Sequence, residues 1–323
     1  MIERVTPDLF RIEIPLPESP LKSVNSYVIR DQDRSLVIDT GFSHDMCMEA
    51  MLEGIRELGV DLNKTSFFIT HSHSDHFGLI GRLATEGNVV YFNQPDLEFL
   101  NDSGRWQAVI DYAKKAGFPS NELESMLLNH PGYRYRSQSM PSLTIIHDGD
   151  TLAFGGYSFR CVQTPGHTRG HICLYEPDKK ILISGDHILK DITPNITCFW
   201  EGENPLMRYL ESLDKVYGLD VDLVLPGHRR IFKSHKERID ELRKHHQERA
   251  EEALAIIRKE PQDCFLVASR LTWDLAYDSW NLFPLAQKWF ATGETIAHLR
   301  YLEDIGAISR VPDQRLITFE VCG

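Results

Sequence analysis

Residues 70–78 read THSHSDHFG. Three imidazoles and one carboxylate, His71, His73, Asp75 and His76, fall within six positions, directly after the apolar residues Phe67, Phe68 and Ile69. Protonated histidines crowded this closely repel one another. Neutral histidines around a divalent cation do not, because the cation carries the charge. His71 and His73, two residues apart in an extended segment, project to the same side. Asp75 and His76 begin the next turn and can serve a second ion. Imidazole and carboxylate donors together suit zinc, iron or manganese.

The stretch is one of four. Thr164-Pro165-Gly166-His167, Ser184-Gly185-Asp186 and Leu225-Pro226-Gly227-His228 each follow an apolar run that reads as a strand. The shared device is a strand, a glycine that lets the backbone turn, and then a ligand; strand ends are rigid supports for such a site. His71, His73, Asp75, His76, His167, Asp186 and His228 are therefore the candidate ligands. They are too many for one tetrahedral ion and suit two ions bridged by a carboxylate. Two metals about 3.5–4 Å apart clamp the oxygens of a hydrolytic displacement.

Around these stretches the chain alternates. Strands are expected over Leu9–Leu16, Val24–Ile29, Ser35–Ile38, Phe67–Thr70 and Val89–Phe92, and helices over Ser43–Leu58 and Phe77–Thr85. Pro95 to Asn129 reads as helical and, being long for a connection, as an inserted cap. Strands follow at 142–146, 151–154, 157–163, 171–175 and 180–184, then a helix over Pro205–Tyr217, a strand over Leu223–Leu225 and a charged helix over Lys233–Lys259. The last part, Pro261 to Gly323, reads as a small helical unit ending in a β-hairpin. This is an α/β pattern.

The motifs THSHSDH (70–76), TPGHTRGH (164–171), SGDHIL (184–189) and PGH (226–228) together resemble those of the metallo-β-lactamase superfamily. The resemblance implies a four-layered αββα sandwich over residues 1–232, with a helical insert at about 95–140, and a small winged-helix-like domain within 233–323. It implies a first metal held by His71, His73 and His167, a second held by Asp75, His76 and His228, and Asp186 as the bridge. It also implies a metal-bound hydroxide as nucleophile, with Asp75 as acceptor of its proton. The metals are expected to be two divalent ions, zinc first, iron or manganese otherwise. The expected substrate is a thioester, lactone or related ester. The alternatives are a metal-dependent endoribonuclease or phosphodiesterase and a di-iron redox protein; no flavin module follows for the last. True β-lactamases of the fold lack an aspartate at the position of Asp75, which argues against antibiotic hydrolysis.

The net charge of −12 over 323 residues disfavours a general nucleic-acid binder. The N-terminal MIERVTPDLFRIEIPL has no basic stretch before a long apolar run, so no signal peptide is expected. No apolar stretch approaches the roughly 20 residues of a membrane helix. Six scattered cysteines without a CxxC pair read as free thiols of a cytoplasmic protein. The expected partners are a small-molecule substrate and a second copy of the chain, with no duplex DNA and no membrane.

The remaining polar residues have plainer readings. His187 should point away from Asp186, and His44, His130, His147, His245 and His246 should be solvated. His171 should pack near the ligands or support them. Asp39 caps a turn or supports the histidines, in equal measure. Trp106, Tyr133 and Tyr135 pack the insert, and Arg169 makes a surface ion pair or meets an anionic substrate.

Overall fold

The computed structural model describes residues 1–31, 34–274, 277–312 and 314–322. Asp313 and Gly323, which belong to the C-terminal segment considered above, lie outside the described residues.

Among the described residues one sheet holds the strands Ile2–Arg4 (β1), Leu9–Pro15 (β2), Ser23–Arg30 (β3), Ser35–Ile38 (β4), Thr65–Phe68 (β5), Val90–Asn93 (β6) and Leu143–Ile146 (β7) in that order. Pairing is antiparallel from β1 to β4 and parallel from β4 to β7. A second sheet holds Thr151–Phe154 (β8), Tyr157–Gln163 (β9), Ile172–Glu176 (β10), Ile181–Gly185 (β11) and Leu223–Pro226 (β12), in the order β12-β11-β10-β9-β8. Its strands are antiparallel except for the parallel pair β11 and β12. This is the mixed-sheet α/β architecture expected.

Successive side chains of a strand point to opposite faces, and the first sheet uses both faces. Tyr27, Ile29, Leu36, Ile38 and Phe68 share a core with Phe159, Leu174, Ile183 and Leu225 of the second sheet. Val24, Val28, Val37 and Phe67 pack with Cys47, Met51 and Ile55 of the helix Asp45–Glu57. Double-sided burial makes the central strands read as continuous apolar runs. On the second sheet the helix Pro205–Tyr217 is anchored through Ser212, whose hydroxyl donates to the Pro165 carbonyl (2.8 Å), and Lys215, which donates to the Gln163 carbonyl (3.0 Å).

The two sheets are joined at one edge. Ile172 N–H donates to the Thr70 carbonyl (2.9 Å) and Asn25 N–H to the Gly227 carbonyl (2.7 Å). β4, β5, β9, β11 and β12 all end at this edge, which is where the ligand-bearing turns begin.

Two expected elements differ. The strand expected over Phe67–Thr70 spans Thr65–Phe68, and the helix expected over Phe77–Thr85 is two single turns, Ser74–Phe77 and Ile80–Leu83. The helix breaks where Gly78 sits against other backbone: a Cβ there would lie 2.7 Å from Ser43 N and 2.8 Å from Gly41 O.

The chain divides into two compact units, Met1–Asn101 with Pro131–Pro194 and Ser212–Arg238, and Asp102–His130 with Asn195–Glu211 and Ile239–Gly323. This division differs from a boundary at 232/233 with an insert at 95–140. Residues 102–130 and 195–211 belong with the C-terminal segment because they share its core. Trp289 stacks on Phe199 (centroids 4.1 Å) and meets the Phe118 edge (5.4 Å), and Ile317 N–H donates to the Lys115 carbonyl (2.7 Å). The second unit also contains the helix Leu285–Asp304 and a small sheet in which Gln262–Asp263 (β13) and Ile308–Arg310 (β14) flank Thr318–Val321 (β15). No helix among the described residues is long and apolar enough to cross a membrane.

Candidate metal centre

At the shared sheet edge, three groups of side chains bring their donor atoms within 4.8 Å of one another: His71, His73 and His167; His71, His76 and Asp186; Asp75, His76 and His228. All seven candidate ligands are thus brought together. His71 Nε2 lies 3.1 Å from His73 Nδ1. Asp186 reaches all sides: Oδ1 is 3.5 Å from His76 Nε2, and Oδ2 is 3.6 Å from His167 Nε2 and 3.3 Å from His228 Nε2. Asp75 Oδ2 lies 3.3 Å from His228 Nε2.

The surroundings fix which ring nitrogen faces the cluster. Asp39 follows β4 with φ +60, a left-handed conformation that aspartate tolerates. Its carboxylate accepts from Thr70 N and Thr70 Oγ1 (both 2.8 Å) and lies 2.8 Å from His76 Nδ1. His228 Nδ1 lies 2.7 Å from the Ser23 carbonyl. These partners only accept, so Nδ1 carries the hydrogen in both rings and Nε2 turns inward. His71 Nδ1 lies 2.9 Å from Thr70 Oγ1, whose own hydrogen goes to Asp39, so the same tautomer follows. Such outer partners orient ligating histidines and raise their basicity. Nε2 of His76, Nε2 of His228 and Oδ1 of Asp186 are buried with no hydrogen-bond partner among the described residues. Inward, buried, convergent donors are what a cation would satisfy, so the residues fit a dinuclear divalent-metal site.

The electrostatics agree. Burial works against charge on His228, yet Asp186 and Asp75 carry its pKa up to about 10. Burial likewise opposes charge on His76, and Asp39, Asp186 and Asp75 overcome it. Burial would raise Asp75, but His76 and His228 bring it to about 2. Asp186 is held well below the carboxylate range, its burial outweighed by His228 and His76. The carboxylates here demand positive charge. His71, by contrast, is kept neutral by burial first and then by His76 and His73.

Two glycines give the turns their shape. Gly185 has φ +47, and a Cβ on it would lie 2.7 Å from His171 Nε2. Gly227 needs space: a Cβ would lie 2.4 Å from Asp186 Oδ1 and 2.8 Å from His76 Cε1.

Several residues need a fuller or different reading. His171 is a support: its Nε2 accepts from Asp186 N (3.1 Å) and its Nδ1 lies 2.8 Å from Thr164 Oγ1. Burial keeps its pKa well down, so the ring stays a neutral acceptor. Asp39, balanced between two readings, supports His76. His246, expected to be solvated, is buried against His298, and His187, expected to point away from Asp186, is buried as well. His44 accepts from Met46 N (3.2 Å) and caps its helix. Tyr135 stacks on Phe42 (centroids 4.5 Å), and the Arg169 guanidinium lies over the Phe99 ring at 5.6 Å.

Sequence reasoning missed Asn25 and Asp96. Asn25 Nδ2 donates to the carbonyls of Pro226 (2.8 Å) and Arg229 (2.9 Å), holding the turn that carries His228. Asp96 falls inside the expected insert, yet it is buried and accepts from Ser72 N (2.8 Å). The insert therefore does not begin clear of the site. The one signal for Asp96 was a carboxylate in the first helical turn after a buried strand.

A family model described as Metallo-beta-lactamase superfamily matches residues 20–228, and the chain belongs to that superfamily. It is 24% identical over 331 residues to the probable metallo-hydrolase YqjP of Bacillus subtilis, covering 98% of each chain. It is 28% identical to the human acyl-coenzyme A thioesterase MBLAC2 over 64% of this chain and 74% of the relative. The crystal structure of the metallo-beta-lactamase family protein TTHA1429 from Thermus thermophilus superposes with a TM-score of 0.85 at 26% identity, covering 99% of this chain and all of that one (100%).

Proposed function

We propose that this member of the metallo-beta-lactamase superfamily hydrolyses thioesters or closely related activated esters at a dinuclear metal centre. The chain is a hydrolase of the superfamily; the substrate class and the ligand roles are our reading. The observation that carries it is the position of Asp186, whose two carboxylate oxygens lie within 3.6 Å of His76, His167 and His228. In this reading His71, His73 and His167 hold one ion, Asp75, His76 and His228 hold the other, and Asp186 serves both. The ions, when bound, would lower the pKa of a water molecule and polarise a carbonyl oxygen. Imidazole and carboxylate donors favour zinc, with iron or manganese accepted by the same set.

The chain's own groups do the rest. Asp39, Ser23 and Thr70 keep Nε2 of His76, His228 and His71 turned inward. We assign Asp75, beside His228, the role of accepting a proton from the nucleophile. His171 holds the Asp186 backbone. A thioester is favoured because the human relative is named an acyl-coenzyme A thioesterase. Five buried free thiols, Cys47, Cys161, Cys173, Cys198 and Cys264, suit a reducing cytoplasm.

The test is metal analysis combined with a panel of acyl-coenzyme A and glutathione thioesters, lactones, phosphodiesters and single-stranded RNA. Thioester turnover that a chelator abolishes and zinc restores is the expected result. Metal-dependent cleavage of RNA alone would overturn the assignment.

A further inference from the structure

We infer that Asp96 is a positioning residue: it clamps the loop bearing His71 and His73 to the loop bearing His167, and so sets the affinity of the ion that these three histidines would share. The inference rests on the metal-centre reading above.

Asp96 is 1% exposed and stands in the first turn of the helix Gln94–Asn101. Its Oδ2 accepts from Ser72 N (2.8 Å) and Thr168 Oγ1 (2.9 Å), and its Oδ1 from Gly170 N (2.8 Å). Ser72 lies between His71 and His73, while Thr168 and Gly170 follow His167. One carboxylate thus closes a bridge between two loops that are far apart in sequence. Hydrogen bonds to an ionised acceptor are roughly twice as strong as neutral ones, and without them the Ser72 and Gly170 amides lose their acceptor.

The corner is itself built. Asn93 Oδ1 accepts from Asp96 N (2.8 Å) and holds the turn out of β6. Gly170 lies against it so closely that a Cβ would fall 1.6 Å from Asn93 Oδ1 and 3.0 Å from Asp96 N. The glycine lets the His167 loop close on the carboxylate. Asp96 holds the two loops through Ser72, Thr168 and Gly170.

The test uses full-length Asp96→Ala and Asp96→Asn, with zinc affinity measured by chelator competition. Amide hydrogen exchange at Ser72 and Gly170 is followed in chelated protein. Folded Asp96→Ala should hold one zinc ion about 10–100-fold more weakly than wild type, as loss of an outer support does elsewhere. Asp96→Asn, which keeps one acceptor oxygen, should fall between. Excess zinc should restore turnover, and both amides should exchange faster. If Asp96→Ala does not fold, Thr168→Val removes one of the three bonds; it should weaken zinc a few-fold, with Thr168→Ser restoring it. Unchanged zinc affinity beside a lowered melting temperature would reduce Asp96 to a structural tie and overturn the inference. Wild-type protein that takes up no zinc would remove the metal-centre reading itself, and this inference with it, before any variant is made.

Discussion

His76 and His228 of the first unit are buried among Asp39, Asp75 and Asp186. His246 and His298 of the second unit are buried against each other, Nδ1 to Nε2 at 3.2 Å. Both regions crowd imidazoles out of water, and the outcomes are opposite. Burial pushes His298 down to about 3, and holds His246 well below its ordinary value with His298 adding to the effect. Burial acts on His228 too, yet the carboxylates lift it to about 10. Buried histidines alone become neutral and pair by hydrogen bonds, as His298 does with the Glu294 carbonyl at 2.8 Å. Buried histidines with fixed carboxylates create a deficit of positive charge that a proton or a cation fills. The carboxylate, not the number of histidines, separates a candidate metal centre from a polar core.

The harshest way to break this contrast is to delete the shared carboxylate. Asp186→Ala should drop zinc from about two ions per chain to below one, because both ion positions lose a donor. Thioester turnover should fall at least about 100-fold. His228→Ala should cost about one ion, and His298→Gln none. Elemental analysis that finds Asp186→Ala fully loaded would erase the difference between the two regions.

Acid sharpens the contrast, since the two regions respond through different quantities. Asp186 and Asp75 raise the pKa of His228, and Asp39, Asp186 and Asp75 raise that of His76, so a cation entering the first region competes with protons there. Zinc affinity should therefore fall about tenfold per pH unit for each proton displaced. In the second region the sign concerns stability. His298 has a folded pKa of about 3 against an ordinary value of 6.5, so the unfolded chain binds the proton first. Its contribution is present above the ordinary value and is lost as the pH falls from there toward 3, by a few kcal/mol at most (order of magnitude). Glu294, raised by burial to about 7 although Arg249 opposes, works the other way and loses stability as the pH rises. Urea unfolding of His298→Gln beside wild type isolates the first effect: the variant should show a flatter decline in stability between pH 6 and pH 4, values on the order of the histidine transition. Parallel curves would remove His298 from the account.

The contrast also explains what could be read from the sequence. The first region is written in local signals: a histidine-rich run after one apolar strand, and apolar strand, glycine, ligand three times over. Those signals place all seven donors without a contact map. The supports are not local. Asp39 meets His76 across 37 positions, Asn25 reaches Pro226 across 201, and Asp96 reaches Gly170 across 74. No spacing rule connects such pairs. The second region fails for a related reason. His246 lies on a helix whose sequence is rich in charge, so a solvated face is the natural reading. Its burial depends on His298 and Tyr209, the latter with ring centroids 5.4 Å away. The unit boundary was hidden in the same way, because Phe118 and Phe199 join the core around Trp289 from distant parts of the chain.

The smallest expected effect concerns the second unit and nucleic acid. A helix that grips a duplex must expose lysine and arginine, since neutralised phosphates supply most of the affinity. Residues 250–323 carry eleven acidic and seven basic residues, a net of −4. The stretch best placed to act as a recognition helix, 292–304, has Arg300 against Glu294, Glu303 and Asp304. The structure adds that Thr292, Gly293, Thr295, Ile296, Ala297, His298, Leu299 and Leu302 of that helix are buried. Arg300 is paired with Glu303, and Arg310 with Glu201 at 3.0 Å and Glu303 at 3.1 Å. These arginines already have acidic partners, and a phosphate would have to compete for them. Full-length protein titrated into labelled duplex at low salt should therefore show no saturable binding below about 10 µM, a concentration within the range of ordinary non-specific affinity. A saturating curve in that range, weakening steeply as salt rises, would mean that the second unit presents a basic surface after all, and would make it a partner-binding module instead of a polar-cored companion to the candidate metal centre.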